Sequence, residues 1–388
     1  MLGWELPPHN AGGMGVVCYQ MARALAGRGV DIDFVLPYEA EHPGSEFMRI
    51  ISSSKRLPVK GDGTWVYDSW HASSPEMQEI QDRYIKTAVR HAKLHPPHAI
   101  HAHDWLTLRA GVAVQQAVHR PLIAHVHATE FDRAGGTHGN PMIHDIEQMG
   151  LLMADRIIAI SQIQKNIISE KYNIPQEKIE VVHNTIDYSE FADEATGDAY
   201  RYAATMKAEG YCIVSVVNRL TVQKGLVNFM RAAAKASHRL GRFVFIIAGD
   251  GEQRNELIEL SAELGIADKV IFTGFVRGKQ WRDVFAISDV FVMSSISEPF
   301  GLTALEAAAH GTAVVMTKQS GASEVIRNGM KYDYWDEDRL ADLLINLASS
   351  RSLAAHLKAN AIEEMRGKSW TNIADRFIDQ YVKVGIAA

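Results

Sequence analysis

Two glutamates, Glu298 and Glu306, bound the segment of this 388-residue chain whose residue types and spacing best suit chemistry. It reads Glu-Pro-Phe-Gly-Leu-Thr-Ala-Leu-Glu and follows Val290-Phe291-Val292-Met293, an apolar run of the kind that forms a short buried strand. Residues 303–310 then have the composition of a helix, closed by Gly311. One carboxylate therefore sits in the loop ahead of a helix, and the other lies about one turn inside it. Between them the backbone of Phe300, Gly301, Leu302 and Thr303 points free N–H groups out of the positive end of the helix, where phosphate binds favourably. Both carboxylates would repel such an anion unless they accept hydrogen bonds from hydroxyls beside it. A ligand with phosphate in the middle and hydroxyl-rich groups at both ends, such as a nucleotide-sugar, fits the pattern. The alternative is a helix start with ordinary surface glutamates.

Further candidates lie just after other strand-like runs. Arg219 and Lys224 follow residues 212–217, and a forked donor beside a point charge suits a diphosphate. The plainer account is two solvated cations near a turn. Gly12, Gly13 and Gly15 form a glycine loop ahead of a helical pattern over 16–28, which permits close approach of a ligand but lacks the G-x-G-x-x-G spacing. Turns at 248–251 and 273–276 could line a base pocket. His101, His103, His125 and His127 fall in two pairs, each spaced by two on a strand and so sharing a face. Neither pair has a recognised metal-ligand spacing, so no metal is expected. His127, at its strand end, reads as a hydrogen-bonding group in a cleft or as a satisfied core histidine; His125 reads as core.

The elements that must position these residues alternate. Strands are expected at 33–37, 99–103, 122–127, 156–160 and 179–183, separated by helices, with irregular structure over 38–75. Residues 185–210 carry no strong apolar period and suggest a linker. A second alternation begins at 212–217 and runs through strands at 243–248, 270–273, 290–293 and 313–317, ending in an amphipathic helix over 370–384. Repeated strand–helix alternation predicts two doubly wound parallel sheets, with ligands at the carboxyl ends of their strands in the cleft between. The expected division is 1–205, 206–365 and a terminal helix within 366–388. Residues 1–4 look like the last part of a strand, so the chain is expected to lack several residues of its first strand, through a misplaced start codon.

Composition narrows the class. Hydrophobic content of 47% with 22% charged residues is that of a globular protein, and the formal charge of −6 argues against a general nucleic-acid binder. Cys18 and Cys212 are the only cysteines, so no disulfide framework is implied. No apolar run approaches the roughly 20 residues of a spanning helix. No signal peptide is evident, and a cytoplasmic protein is expected.

Together, Gly12-Gly13-Met14-Gly15, His101-Ala102-His103-Asp104-Trp105, His127, His183-Asn184-Thr185-Ile186-Asp187, Arg219 with Lys224, and the Glu298 to Glu306 segment resemble the retaining glycosyltransferases of family 4. The match runs in order over about residues 3–335. The Gly-Gly loop, His-Asp-Trp and Gln223-Lys224-Gly225 make it most similar to the glycogen synthase-like branch; Thr185, where the family commonly has Gly, departs from the pattern. The resemblance implies the GT-B fold, two Rossmann-like domains facing each other across a cleft. It also implies hexosyl transfer from a nucleotide-sugar, glucosyl from ADP- or UDP-glucose, to an α-glucan, with no cofactor and no metal. Arg219 and Lys224 would hold the donor diphosphate, assisted by the amides from Phe300 to Thr303. Gly13 would lie against it, with Gly12 and Gly15 also among the donor-binding residues. Glu306 would accept from the ribose hydroxyls, Glu298 would contact hydroxyls of the transferred sugar, and His127 would bind its primary hydroxyl or the leaving region. Asp104 and Trp105 would belong to the acceptor side or cleft. The rivals are a family 4 enzyme acting on a lipid or polysaccharide, which leaves peripheral membrane contact open, and a non-catalytic nucleotide-sugar sensor. A pyridoxal phosphate-dependent phosphorylase shares the architecture, but no cofactor-lysine motif is present.

Overall fold

The computed structural model describes residues 1–10, 12–55, 74–191 and 198–385. Two compact units result, one formed by Met1–Asn184 with Trp370–Ala388 and the other by Thr185–Ser369.

Among the described residues the first unit carries six parallel strands: β1 (Asp33–Leu36), β2 (Arg49–Ser52), β3 (Ile100–His103), β4 (Leu122–Val126), β5 (Arg156–Ala159) and β6 (Ile179–Val181). β1 pairs with β2, and β3 to β6 pair in sequence order. Residues 1–3 lie between the two groups. The Leu2 amide donates to the His101 carbonyl at 2.7 Å, and the Gly3 amide to the Val35 carbonyl at 3.1 Å. These residues therefore do the work of a central strand.

Period-two alternation decides what each face of this sheet carries. Ile100, Ala102, Leu122, Ala124 and Val126 enter one core with Tyr84 and Leu108 from the helices Pro75–Leu94 and Trp105–Val118. His101, His103 and His125 alternate with them and face the other way. Starts of the helices are written locally: Ser74 accepts from the Met77 amide with Pro75 next to it, and Ser161 accepts from the Gln164 amide at the head of Gln162–Lys171.

The last helix, Trp370–Lys383, packs on Gly13–Ala26 within this unit. Arg28 makes a forked pair with Asp375, Tyr381 OH lies 2.8 Å from His101 Nδ1, and the Phe377 ring sits against His125.

In the second unit the strands are β7 (Cys212–Val217), β8 (Phe243–Ala248), β9 (Val270–Gly274), β10 (Val290–Met293), β11 (Ala313–Thr317) and β12 (Met330–Tyr332). Their spatial order is β12-β11-β10-β7-β8-β9, all parallel. The order reverses between β7 and β10, which sets the loops after these two strands side by side at a topological switch point. The core is Val214, Val216, Phe229, Phe245, Val292 and their neighbours, sealed by Leu226–Leu240 and Glu337–Ser349.

Several expectations need correcting. The stretch read as irregular contains β2, whose short apolar core Ile50-Ile51 pairs with β1 and is fastened by Arg49 Nη2 on Asp33 Oδ2 at 2.5 Å; residues 56–73 of that stretch lie outside the described residues. The leading segment of the first unit ends at Asn184, and within the stretch 185–210 expected as a linker residues 192–197 lie outside the described residues. Residues 198–208 form a short turn and helix that belong to the second unit, with the Ala199 amide on Asp283 and Tyr200 OH on the Gln280 carbonyl. The first helix is Gly13–Ala26, so Gly13 and Gly15 sit in its first turn and not in a loop before it.

Phe377 is 1% exposed. Phe377→Ala should destabilise the first unit by about 3–5 kcal/mol through lost burial and the cavity left behind. Urea unfolding followed by tryptophan fluorescence would read this as a lower midpoint; an unchanged midpoint would show that the helix adds no stability.

Candidate functional site

The site is densest where β7 and β10 end. After β7 the chain passes Asn218 and Arg219, makes a single turn at Val222–Lys224, and enters Leu226–Leu240 through Gly225 at φ 62°. A Cβ on Gly225 would stand 2.2 Å from the Ser294 carbonyl oxygen, so the two loops approach as closely as backbone allows. They are cross-linked: the Ile296 amide donates to the Gln223 carbonyl at 2.8 Å, Gln223 Nε2 to the Ser297 carbonyl at 2.9 Å, and Ser294 Oγ to the Lys224 carbonyl at 2.8 Å.

On this base Lys224 Nζ meets Glu298 Oε2 at 2.7 Å, and Ser295 Oγ donates to the same oxygen at 2.8 Å. Both side chains are mostly buried. Removing either partner would strand a charge with little water to hold it. Glu298 is fixed from the other side as well, its amide on the Gln319 carbonyl and its carbonyl accepting from the Gly321 amide. Arg219, in the same loop after β7 as Lys224, is exposed.

Gly301 caps the helix Leu302–Ala309 at φ 97°, where a Cβ would lie 2.5 Å from Met293 Sδ. A side chain is excluded twice there, by conformation and by space. The amides of Gly301, Leu302 and Thr303 open the helix with no intrahelical acceptor, as expected of a first turn. Phe300 contributes differently: its ring is buried, and its carbonyl accepts from the Ala322 amide and from Ser320 Oγ.

Glu306 lies in the second turn of that helix. Its Oε2 is buried with no hydrogen-bond partner among the described residues, and burial pushes the carboxyl up from 4.5 to about 8. Asn218 Oδ1, at the end of β7, is likewise a buried acceptor without a partner. Unsatisfied buried acceptors are costly, so both call for donors supplied from outside the protein. Hydroxyl groups are such donors.

In the first unit His127 directly follows β4. Asp104 Oδ1 accepts from the His127 and Ala128 amides at 2.6 and 3.2 Å, and His127 Nε2 lies 3.0 Å from His103 Nδ1. Asp104 reaches them from φ 56°, ψ 176°, a region nearly confined to glycine that costs other residues about 1–3 kcal/mol. Burial pushes the Asp104 carboxyl up to about 6, with Arg133 opposing, and pushes His127 down to about 3. Asp104 and Trp105 were expected on an acceptor side. Here both are buried, one spent on the β4 end and the other packed against Ile143. Gly15 differs too, since its amide donates to Glu5 Oε1 at 3.1 Å and is not free for a ligand. Gly12 is extended and Gly13 begins the helix.

The loop after His127 is braced by a buried network. Arg133 bonds Glu130 at 3.0 Å and also Glu147, Tyr172 OH donates to Glu147, and Thr129 and Asp132 form a capping box. Ser295 and this network carry no signal of a role in the sequence, and Gln223 stands there only as part of the Gln223-Lys224-Gly225 motif.

The histidines pack as a column. His101 stacks on His103 at 4.6 Å and 13°, and His125 on His127 at 4.3 Å and 26°. One ligand atom each of Cys18, His103 and His127, and of His101, His103 and His125, lie within 4.8 Å of one another.

The chain is a glycosyltransferase of the GT-B fold. Residues 203–364 match the family described as Glycosyl transferases group 1, and residues 11–190 match Glycosyltransferase Family 4. The two matches follow one another along the chain, family 4 first and group 1 second.

It is 28% identical over 390 residues to an uncharacterized glycosyltransferase of Methanocaldococcus jannaschii, covering 98% of this chain and 97% of that protein. Identity is 27% to a glycogen synthase of Mycobacterium tuberculosis, over 85% of this chain and 80% of that one. A D-inositol 3-phosphate glycosyltransferase of Rhodococcus erythropolis is 26% identical, with 97% and 88% covered. Among solved structures, sucrose-phosphate synthase from Thermosynechococcus elongatus superposes with a TM-score of 0.80 at 19% identity, covering 99% and 98%. HepE of Anabaena, in complex with UDP-glucose, gives 0.75 at 19%, covering 98% and 99%. No helix among the described residues is long and apolar enough to cross a membrane.

The raised Glu306 carboxyl has a consequence for stability. Between about pH 4.5 and about 8 the folded chain keeps a proton that the unfolded chain has lost, so this group makes stability fall as pH rises through that window. Glu306→Gln, neutral throughout, should therefore gain Tm relative to the unmodified protein as pH climbs from 4.5 to 8 without ligand. A Tm difference that stays constant across that range in differential scanning fluorimetry would refute the desolvated carboxyl.

Proposed function

We propose that this protein is a retaining glycosyltransferase that moves a glucosyl group from ADP- or UDP-glucose onto an α-glucan. The observation that carries the reading is the ring of groups around the β7–β10 switch point. There a Lys–Glu pair, an exposed Arg, an open helix N-terminus and a buried acceptor without a donor stand together. Arg219, Lys224 and the Gly301 to Thr303 amides hold the diphosphate. Glu306 accepts from ribose hydroxyls, which relieves its buried oxygen. Glu298, positioned by Lys224 and Ser295, contacts hydroxyls of the transferred sugar.

In the reaction the bond from the anomeric carbon to the diphosphate oxygen breaks, and a bond to the acceptor hydroxyl oxygen forms on the same face. The hydroxyl proton passes to the departing diphosphate. Two cations and the helix dipole stabilise the charge that grows on that leaving group, the largest catalytic contribution in such a site. Lys224 changes partner in the process, sharing itself between Glu298 and the incoming phosphate.

The glycogen synthase relative supports an α-glucan acceptor. A second reading, a small phosphorylated polyol as acceptor, is favoured by one observation: the relative named for inositol 3-phosphate matches 97% of this chain, against 85% for the glycogen synthase.

A panel of nucleoside diphosphate sugars, each tested with glycogen, a maltooligosaccharide and inositol 3-phosphate, decides between them by release of nucleoside diphosphate. Turnover is expected with ADP- or UDP-glucose and a glucan, and turnover with inositol phosphate alone would replace that acceptor by the second reading. Lys224→Ala and Glu306→Ala should each lower kcat/KM by roughly 100-fold or more, as loss of a preorganised charge or hydroxyl contact does. Near-normal kinetics for both would remove the assigned roles.

A further inference from the structure

Trp335 stands 62% exposed in the loop between β12 and the helix Glu337–Ser349, although tryptophan is highly buried on average. Its ring meets that of Tyr334 edge to face, with centroids 4.9 Å apart and planes at 84°. Such a contact uses the edge of one ring and a single face of the other. At least one face of the Trp335 indole is therefore left uncovered by Tyr334, whichever way round the contact is made.

This aromatic pair is tied to both loops that carry the Lys224–Glu298 pair. Asn228, four residues after Lys224 and in the first turn of Leu226–Leu240, donates from Nδ2 to the Tyr334 carbonyl at 3.0 Å. On the other side Gln319 Oε1 accepts from the Tyr334 amide at 3.4 Å, and Gln319 Nε2 donates to Asp333 Oδ1 at 3.3 Å. The Gln319 carbonyl in turn accepts from the Glu298 amide. Lys318 Nζ donates to Asp333 Oδ2 at 2.7 Å, and Asp336 caps the next helix by accepting from the Arg339 amide at 2.9 Å. The loop is fixed at several points, so the exposure of Trp335 is not that of a frayed segment.

An open aromatic face beside groups that both donate and accept suits a sugar ring. A pyranose presents C–H groups on its faces, which rest on the electron-rich face of an indole, and hydroxyls around its edge. Lys318 is exposed and has three N–H groups, more than Asp333 occupies, and the Asp333 carboxylate keeps lone pairs for a hydroxyl. A phosphate is less suited here, because Asp333 already compensates the Lys318 charge.

We propose that Trp335, braced by Tyr334, is a stacking platform for a glucan chain, a binding site on the second unit in addition to the groups that hold the donor. The proposal deepens the reading above and rests on an α-glucan being the acceptor. The platform holds the chain by a ring remote from its reacting end. It raises affinity for long acceptors and takes no part in bond making.

Affinity electrophoresis of the full-length protein in native gels cast with glycogen tests this without requiring turnover. The unmodified protein should be retarded, and added maltoheptaose should relieve the retardation while UDP or ADP should not. Trp335→Ala should weaken the apparent affinity about tenfold, the loss of one aromatic contact, and Trp335→Phe should keep most of it. With a working donor, the KM for glycogen should rise in the same proportion in Trp335→Ala. Equal retardation of Trp335→Ala and the unmodified protein would overturn the platform, as would an unretarded unmodified protein. Relief by UDP or ADP alone would overturn it too, by marking a nucleotide site. Glucan binding through Trp335 without transfer from any donor would keep the platform and remove the proposed reaction. Transfer to glycogen with an unchanged KM in Trp335→Ala would keep the reaction and remove the platform.

Discussion

The second unit depends on β7 and β10 being neighbours. Residues 217 and 290 are far apart in sequence, and only the reversal of strand order brings their following loops together. Everything else there follows from that adjacency: Gly225 touching the Ser294 carbonyl, the backbone links between the loops, and a Lys224–Glu298 pair at 2.7 Å. A pair this sheltered is poor evidence of stability gained, because desolvating two charges offsets most of their attraction. Its value is positional. The loops hold a cation and a carboxylate in register at the mouth of a helix.

Desolvation is the common electrostatic theme. Glu306 is driven towards its neutral form by burial alone, and the four stacked histidines are kept uncharged in the same way. Such groups are held in unfavourable surroundings by the packing around them, as active sites commonly are. The column in the first unit exists because strand alternation turns His101, His103 and His125 onto one face of neighbouring strands, under the helices Gly13–Ala26 and Trp370–Lys383. Asp104, held at positive φ, shows that backbone strain is accepted at the point where the β4 end is fixed.

Much of the fold is legible in the sequence. β7, β8, β10 and β11 fall where the apolar runs lie, because buried parallel strands are continuous apolar segments bounded by turn residues. β2 and β12 escape because three or four residues with one or two apolar positions carry no period, and they form only where an exposed strand edge is waiting to pair. The helix starts at Ser74 and Ser161 are local and readable; the helical turn at 198–208 is secured by Asp283 and Gln280, some 80 residues on, and is not.

By itself the sequence determined the chemistry on offer: cations and carboxylates after strand ends, a glycine where only glycine fits the cap at Gly301, and histidines spaced to share a face. These are local properties of residue type and period. Only the tertiary structure decided which of them meet. It paired Lys224 with Glu298 through Ser295, left Glu306 Oε2 without a donor, and turned Asp104 inward to the His127 amide. It also took the Gly15 amide for Glu5. The physical reason is that burial and hydrogen-bond partnership are set by distant segments converging, and no spacing along the chain records them.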